Sequence, residues 1–402
     1  MVFRSGIFLS TLICSFLQVI AAPEEKSLRS SEFLRQVEPG FRRLYELEYE
    51  AALDLFERLS EEWPEHPGPP LYAASTVWLR EMYVRSDLDL DKFLSPSYFT
   101  QKSGRKMTEE DRRCFKKHLD EADARCKRRL SVDPDDLEAR YFQGAVAGIR
   151  AAFAITVERD VGDAIKYGKR AYQTHLELVE EDPTFYDAYM TVGLYEYIVD
   201  NLPWYIKWLA ILAGYQGSKE RGFEYLRLAG EQGVYVADDT KVIQMVLFVR
   251  EKRYRDALRI ARELHQRYPG NWLLHVNQAQ ILERMRETEQ AARVYRQVLE
   301  LQRQGRPHYD DIPLLPFLTQ LGRKFRTFGD FETAQSFLHA ALSASDVDPN
   351  ERAEVHLETA KTFDLQGMRE AALDHYRQVL ELAREKDLRR EAERYLKSPY
   401  TG

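Results

Sequence analysis

From Leu315 to Ala341 the chain reads LPFLTQLGRKFRTFGDFETAQSFLHAA, an ordered succession of apolar, small and polar positions. Counted from Leu315, the apolar and small residues are Leu321, Gly322 and Phe325 at positions 7, 8 and 11, then Ala334, Leu338 and Ala341 at positions 20, 24 and 27. Steps of three and four put each set on one helix face. Gly329, at position 15, separates the two sets and supplies a turn at low conformational cost. The pattern predicts two antiparallel helices that cross where Gly322 meets Ala334, with Phe325 and Leu338 filling the space on either side.

The frame recurs. Ala360, Phe363, Gly367, Ala372 and Tyr376 form the next unit, and Ala279, Leu282, Ala291, Tyr295 and Val298 the preceding one. Before that come Phe248, Ala257, Ala261, Leu264 and Pro269. Ala257 and Ala291 are 34 residues apart. Upstream, Ala52, Phe56, Leu59 and Pro64 repeat the second-helix spacing, as do Ala122, Cys126 and Pro134. The prolines end helices, because they lack an N–H and clash with the preceding turn. Two central units are stretched: Gly144 and Ala164 are 20 apart and Gly193 and Gly222 are 29 apart, where Gly322 and Ala334 are 12 apart.

These positions and the 34-residue period resemble the tetratricopeptide repeat (TPR). The resemblance implies an all-α solenoid of antiparallel helix pairs, about eight units, some degenerate or carrying insertions. The chain then divides into a signal peptide at 1–21, a degenerate helical region with insertions at 30–235, a regular array at 236–386, and a capping helix and tail at 387–402. The final stretch, REKDLRREAERYLK, is polar on most faces, as a solvent-facing end helix should be.

One insertion reads NLPWYIKWLAILAGYQG, from Asn201 to Gly217. Pro203 suits a first helical turn. A helix over 203–213 is about 16 Å long, too short for a bilayer core of about 30 Å. Trp204, Tyr205, Trp208 and Leu212 either pack into the repeat core or form an exposed patch that docks a partner or a membrane surface. With GLYEY before it and GFEYLRLAGEQG after it, this region resembles the tetratricopeptide repeat protein 39 and inclusion-body-clearance group. That resemblance implies a helical scaffold near membranes, with no known catalytic residues.

The other insertion, between Tyr83 and Thr108, carries Asp87, Asp89 and Asp91 in the spacing that opens a calcium loop. Lys92 stands where that loop needs glycine, and Tyr98 where it needs the closing glutamate. A surface loop covering the repeat face is the expectation here.

The chain has 402 residues, 31% charged and 44% hydrophobic, a composition that folds. A net charge of −7 argues against nucleic-acid binding. Arg4 followed by the apolar run Gly6–Ala22, with Val19 and Ala21 at −3 and −1 of a cleavage site, reads as an export signal. The run read as an uncleaved N-terminal anchor is the alternative. Cys114 and Cys126 lie about 18 Å apart if one helix carries both, beyond disulfide reach. Few cysteines behind a signal suit a periplasm or cell envelope.

No H-E-x-x-H, C-x-x-C, G-x-S-x-G or phosphate-loop motif occurs, and the expectation is no enzyme, cofactor or metal. His356 and His375 stand near acidic residues without a catalytic pattern. The repeat frame instead points to a protein or peptide partner in a concave groove lined by the first helices. There the frame places Arg250, Glu283, Arg284, Arg323, Arg326 and Lys361, a ladder suited to an acidic peptide. Farther upstream it places Met190, Leu194, Tyr197 and Ile198, an apolar stretch. The alternative function is a peripheral membrane- or lipid-contacting protein using 203–213.

Overall fold

The computed structural model describes residues 30–95, 106–201, 217–344 and 347–402. Those residues form eighteen α-helices and no strand. Eight antiparallel pairs follow one another. They are α1 (Ser31–Tyr45) with α2 (Tyr49–Glu62), α3 (Gly68–Val84) with α5 (Glu109–Val132), α6 (Leu137–Phe153) with α7 (Val161–Glu181), and α8 (Tyr189–Asp200) with α9 (Lys219–Gln232). Then come α10 (Ala237–Arg250) with α11 (Tyr254–Arg267), α12 (Trp272–Arg284) with α13 (Thr288–Arg303), α14 (Leu314–Thr327) with α15 (Phe331–Leu342), and α16 (Pro349–Leu365) with α17 (Arg369–Leu382). α18 (Lys386–Lys397) closes the array and buries only Ala392. A single-turn helix, α4 (Leu90–Phe93), lies in the insertion after α3.

Side-chain caps set several helix starts. Ser30, Thr108, Asp136, Asp160, Ser218, Asn271, Asp330 and Asp348 each accept an N–H from the first turn that has no helical partner.

Within a pair, the close crossing follows one rule. The glycine at position 8 of the first helix faces the residue at position 24 in the second. Gly40 faces Phe56, Gly322 faces Leu338, Gly144 faces His175 and Gly193 faces Leu226. A Cβ on any of them would run into that partner. Gly193 and Gly222 meet backbone to backbone, since a Cβ on either would sit 2.8 Å from the other's carbonyl oxygen.

The rule corrects the alignment of the third unit. Ala171, not Ala164, takes the small-residue position in α7, where Gly148 lies against it. The discrepancy comes from a π-helical turn at Ala154–Glu158 and an αL residue, Arg159, before α7 begins. These residues lengthen the connection without changing the apolar spacing on either side.

The turns also obey one rule. Gly329 and Gly367 have φ of 78° and 74°, and Leu47, Lys252 and Arg286 occupy the same left-handed region in their units. Gly217 is constrained differently. It is squeezed against the end of α8, where a Cβ would sit 2.5 Å from the Asp200 nitrogen and from the Glu196 oxygen.

The solenoid closes back on itself. Tyr45, at the end of α1, stacks on Tyr268 with ring centroids 4.7 Å apart and donates its hydroxyl to Asp239. Glu46 accepts the Gly270 N–H at 2.6 Å, and the Asn271 amide donates to the Tyr45 carbonyl at 2.7 Å. The first pair therefore touches the fifth and sixth.

Candidate functional site

The end of α3, the following loop and α4 lie against the first helices of two successive units, α12 and α14. Leu90 is buried in the core of the regular array. Tyr83 receives the Trp272 indole N–H at 3.0 Å and donates to Asp311 at 3.3 Å. Burial pushes the Tyr83 hydroxyl up to about 12, so it remains a donor. The described part of the insertion, through Ser95, thus lies on α12 and α14, and residues 96–105 lie outside the described residues.

The three aspartates diverge instead of converging on a cation. Asp87 is fully buried, 2.6 Å from the Lys92 ammonium and 3.2 Å from the Arg85 guanidinium. Asp89 caps α4 and accepts from the Gln280 amide at 3.1 Å. Asp91 lies 2.6 Å from both Arg284 and Lys324. Lys324 also reaches Glu283 at 3.0 Å. Burial opposes ionisation of Asp91, but Lys324 and Arg284 outweigh it and hold the carboxyl below its usual range. Among the described residues no three His, Cys, Asp or Glu side chains are grouped to hold a metal ion.

The cation ladder of the sequence is satisfied from within. Arg284 is taken by Asp91. Arg323 lies 2.7 Å from Glu354 and 3.5 Å from Glu358. Arg326 is buried, its side chain 5% exposed, with its guanidinium on Glu358 at 2.5 Å. Lys361 reaches Glu358 at 3.2 Å and Glu391 at 2.7 Å. The tail completes this end: the Tyr400 ring lies under Arg326 and Lys361, and its N–H donates to Asp364 at 2.8 Å. Arg326 is therefore an internal brace and is not available to a peptide. Arg250 alone of the expected cations is an exposed side chain for which no carboxylate partner is recorded among the described residues.

The apolar positions upstream are mostly core. Tyr197 is buried and donates to Glu251 at 2.8 Å. Met190 and Leu194 are half-buried against the Tyr197, Leu226 and Leu247 cluster, while Ile198 is exposed. Trp204, Tyr205, Trp208 and Leu212, and the export signal at 1–21, lie outside the described residues. His356 and His375 meet each other, with Nδ1 atoms 2.8 Å apart. Burial, then His375, lowers His356 to about 4.

What the sequence did not single out is the cavity beside α4. It measures about 530 Å³. Trp272, Val276, Phe317 and Leu321 wall it from α12 and α14, and Tyr83 from α3. Asp89, Asp311, Lys92, Lys324 and Gln280 supply its polar groups. Only the period itself could have found these residues, since it puts α12 and α14 in register on the inner face. A second hollow of about 540 Å³, more open, lies between α11 and the α12–α13 turn, with Arg255, Arg259 and Arg262 along its edge.

The repeated helix pair, its glycine crossings and its left-handed turns define a helical-repeat solenoid. Residues 274–307 match the tetratricopeptide repeat family model, so the solenoid contains a tetratricopeptide repeat there. No curated protein matches it significantly. Among solved structures, yeast Tom70 is similar at 13% identity and TM-score 0.32, over 92% of this chain and 87% of that one. The human IFIT1 dimer with PPP-AAAA is similar at 13% and 0.33, over 93% and 86%. The Cut9–Hcn1 hetero-tetramer of the APC/C is similar at 12% and 0.31, over 91% and 74%. The fold assignment rests on the chain's own helix pairs and on the matched repeat.

Proposed function

We propose that this protein is an exported interaction scaffold that holds a segment of a partner protein on the inner face of its solenoid. Tetratricopeptide repeats are a protein-interaction architecture in general. One observation carries the finer reading. An aromatic-walled cavity of about 530 Å³ lies on the inner face, where two first helices and the α3–α4 segment meet. Apolar walls with a few fixed polar groups are what a side chain of a docked segment requires. The cell envelope is the proposed compartment, on the strength of the run from Gly6 to Ala22. Among the described residues no helix is long and apolar enough to cross a membrane.

Two measurements test the proposal. Amino-terminal sequencing of the protein recovered from cells is expected to begin at Ala22, and a start at Met1 overturns cleavage after Ala21. A photoreactive group at exposed Gln320, in the cavity wall, is expected to capture one envelope protein. The same group at Arg293, on the second helix α13, is expected not to capture it. Equal labelling from both positions overturns groove binding.

A further inference from the structure

The charges around the cavity are unevenly met. Its two lining cations are already committed to carboxylates that do not line it. Lys92 lies on Asp87, and Lys324 on Asp91 and Glu283. Its two lining carboxylates are not matched by a permanent cation. Asp89 accepts from a backbone N–H of α4 and from the Gln280 amide. Asp311 accepts from the Tyr83 hydroxyl and has His308 at 3.6 Å, charged only when protonated. A carboxylate facing an apolar wall is stabilised by a cation that enters with its own apolar stem. Trp272, Phe317 and Tyr83 offer ring surfaces, the surfaces on which guanidinium and ammonium groups rest.

We infer that this cavity receives a basic side chain, lysine or arginine, from the partner segment, with Asp89 and Asp311 as its counter-charges. The inference rests on the groove-binding reading and reverses the polarity expected from the arginine ladder. An acidic segment would find Arg284, Arg326 and Lys361 already occupied and would face Asp89 and Asp311 unpaired. A basic segment finds two carboxylates and an aromatic wall. The chain's own Asp91 takes the place an acidic partner would need.

A random-sequence peptide display library, panned on the full-length protein, tests this. Gln320→Trp fills the cavity from an exposed position and marks the peptides that use it. Asp89→Asn/Asp311→Asn removes the charge and keeps a capping side chain at 89. Circular dichroism of each variant checks that helix content is unchanged. Peptides lost on Gln320→Trp are expected to carry lysine or arginine. Replacing that residue by norleucine or citrulline is expected to weaken binding at least tenfold to the native protein, and to change little with the double asparagine variant. Cavity-dependent peptides that are acidic, or indifferent to the two carboxylates, overturn the inference and leave the groove reading standing. If every enriched peptide ignores Gln320→Trp, both fall.

Discussion

The ammonium of Lys324 donates to the carboxylate of Asp91 at 2.6 Å, joining residues 233 apart in the chain. Both side chains are about three-quarters buried, and Arg284 holds the second carboxylate oxygen at 2.6 Å. This contact fixes the insertion after α3 onto two repeats of the regular array. It also removes the groove cations from service.

Asp91→Ala is therefore expected to lower stability by about 1–3 kcal/mol, since it removes the carboxylate from largely buried Arg284 and leaves Lys324 only Glu283. Asp91 ionises more readily folded than unfolded. Its contribution is present above the ordinary aspartate range and is lost as pH falls through the lowered folded value. Urea unfolding of native protein and Asp91→Asn should differ clearly at neutral pH and draw together only as pH falls below the ordinary aspartate range. A difference that persists in acid would count against the ion pair.

Arg326 tests the distinction between a groove contact and a brace. Removing it leaves buried Glu358 with Lys361 at 3.2 Å and Arg323 at 3.5 Å but without its shortest partner. Arg326→Ala should cost about 1.5–3 kcal/mol, while Arg250→Ala, at an exposed position, should stay within about 0.5 kcal/mol. Similar small effects at both positions in urea titrations would return Arg326 to the groove.

The glycines make a second contrast. Gly193→Ala pushes a methyl against the Gly222 carbonyl, which is backbone and cannot step aside. A loss of about 1–3 kcal/mol is expected. Gly148→Ala meets only the Ala171 methyl at 4.0 Å, an ordinary contact, and should be neutral or stabilise by up to about 1 kcal/mol through helix propensity. Thermal unfolding of the two variants should rank them in that order.

Acid should also loosen the fold through its histidines. Burial lowers His175, His275 and His356 to about 4. The unfolded chain protonates them near the ordinary histidine value of about 6.5. Between those limits the unfolded state binds more protons, so stability falls as pH drops from about 6.5 toward about 4. His175→Gln keeps a donor for the Tyr141 carbonyl and should flatten part of that slope in urea midpoints measured across the range. An unchanged slope would mean that His175 is protonated in the fold.

The repeat was legible because its crossing positions are local. Gly322, Phe325, Gly329, Ala334 and Leu338 fix the geometry of α14 and α15 by steric fit alone. The third unit slipped because a π-turn changes length without changing apolar spacing, so Ala164 and Ala171 look alike in sequence. The site was less legible for a different reason. A 34-residue period says that Arg284 and Lys324 share the inner face, but nothing in it says that Asp91, in α4 and 233 residues before Lys324, lands between them. Charge on a groove position predicts a partner's charge only when the chain has not already supplied the counter-charge.

Hydrogen exchange of the full chain, alone and with the protein captured through Gln320, addresses the groove most directly. Added protection is expected in α12 and α14 and at the α3–α4 segment, with α13 and α15 unchanged. Protection confined to α13 and α15, or absent from all four helices, would contradict an inner-face scaffold.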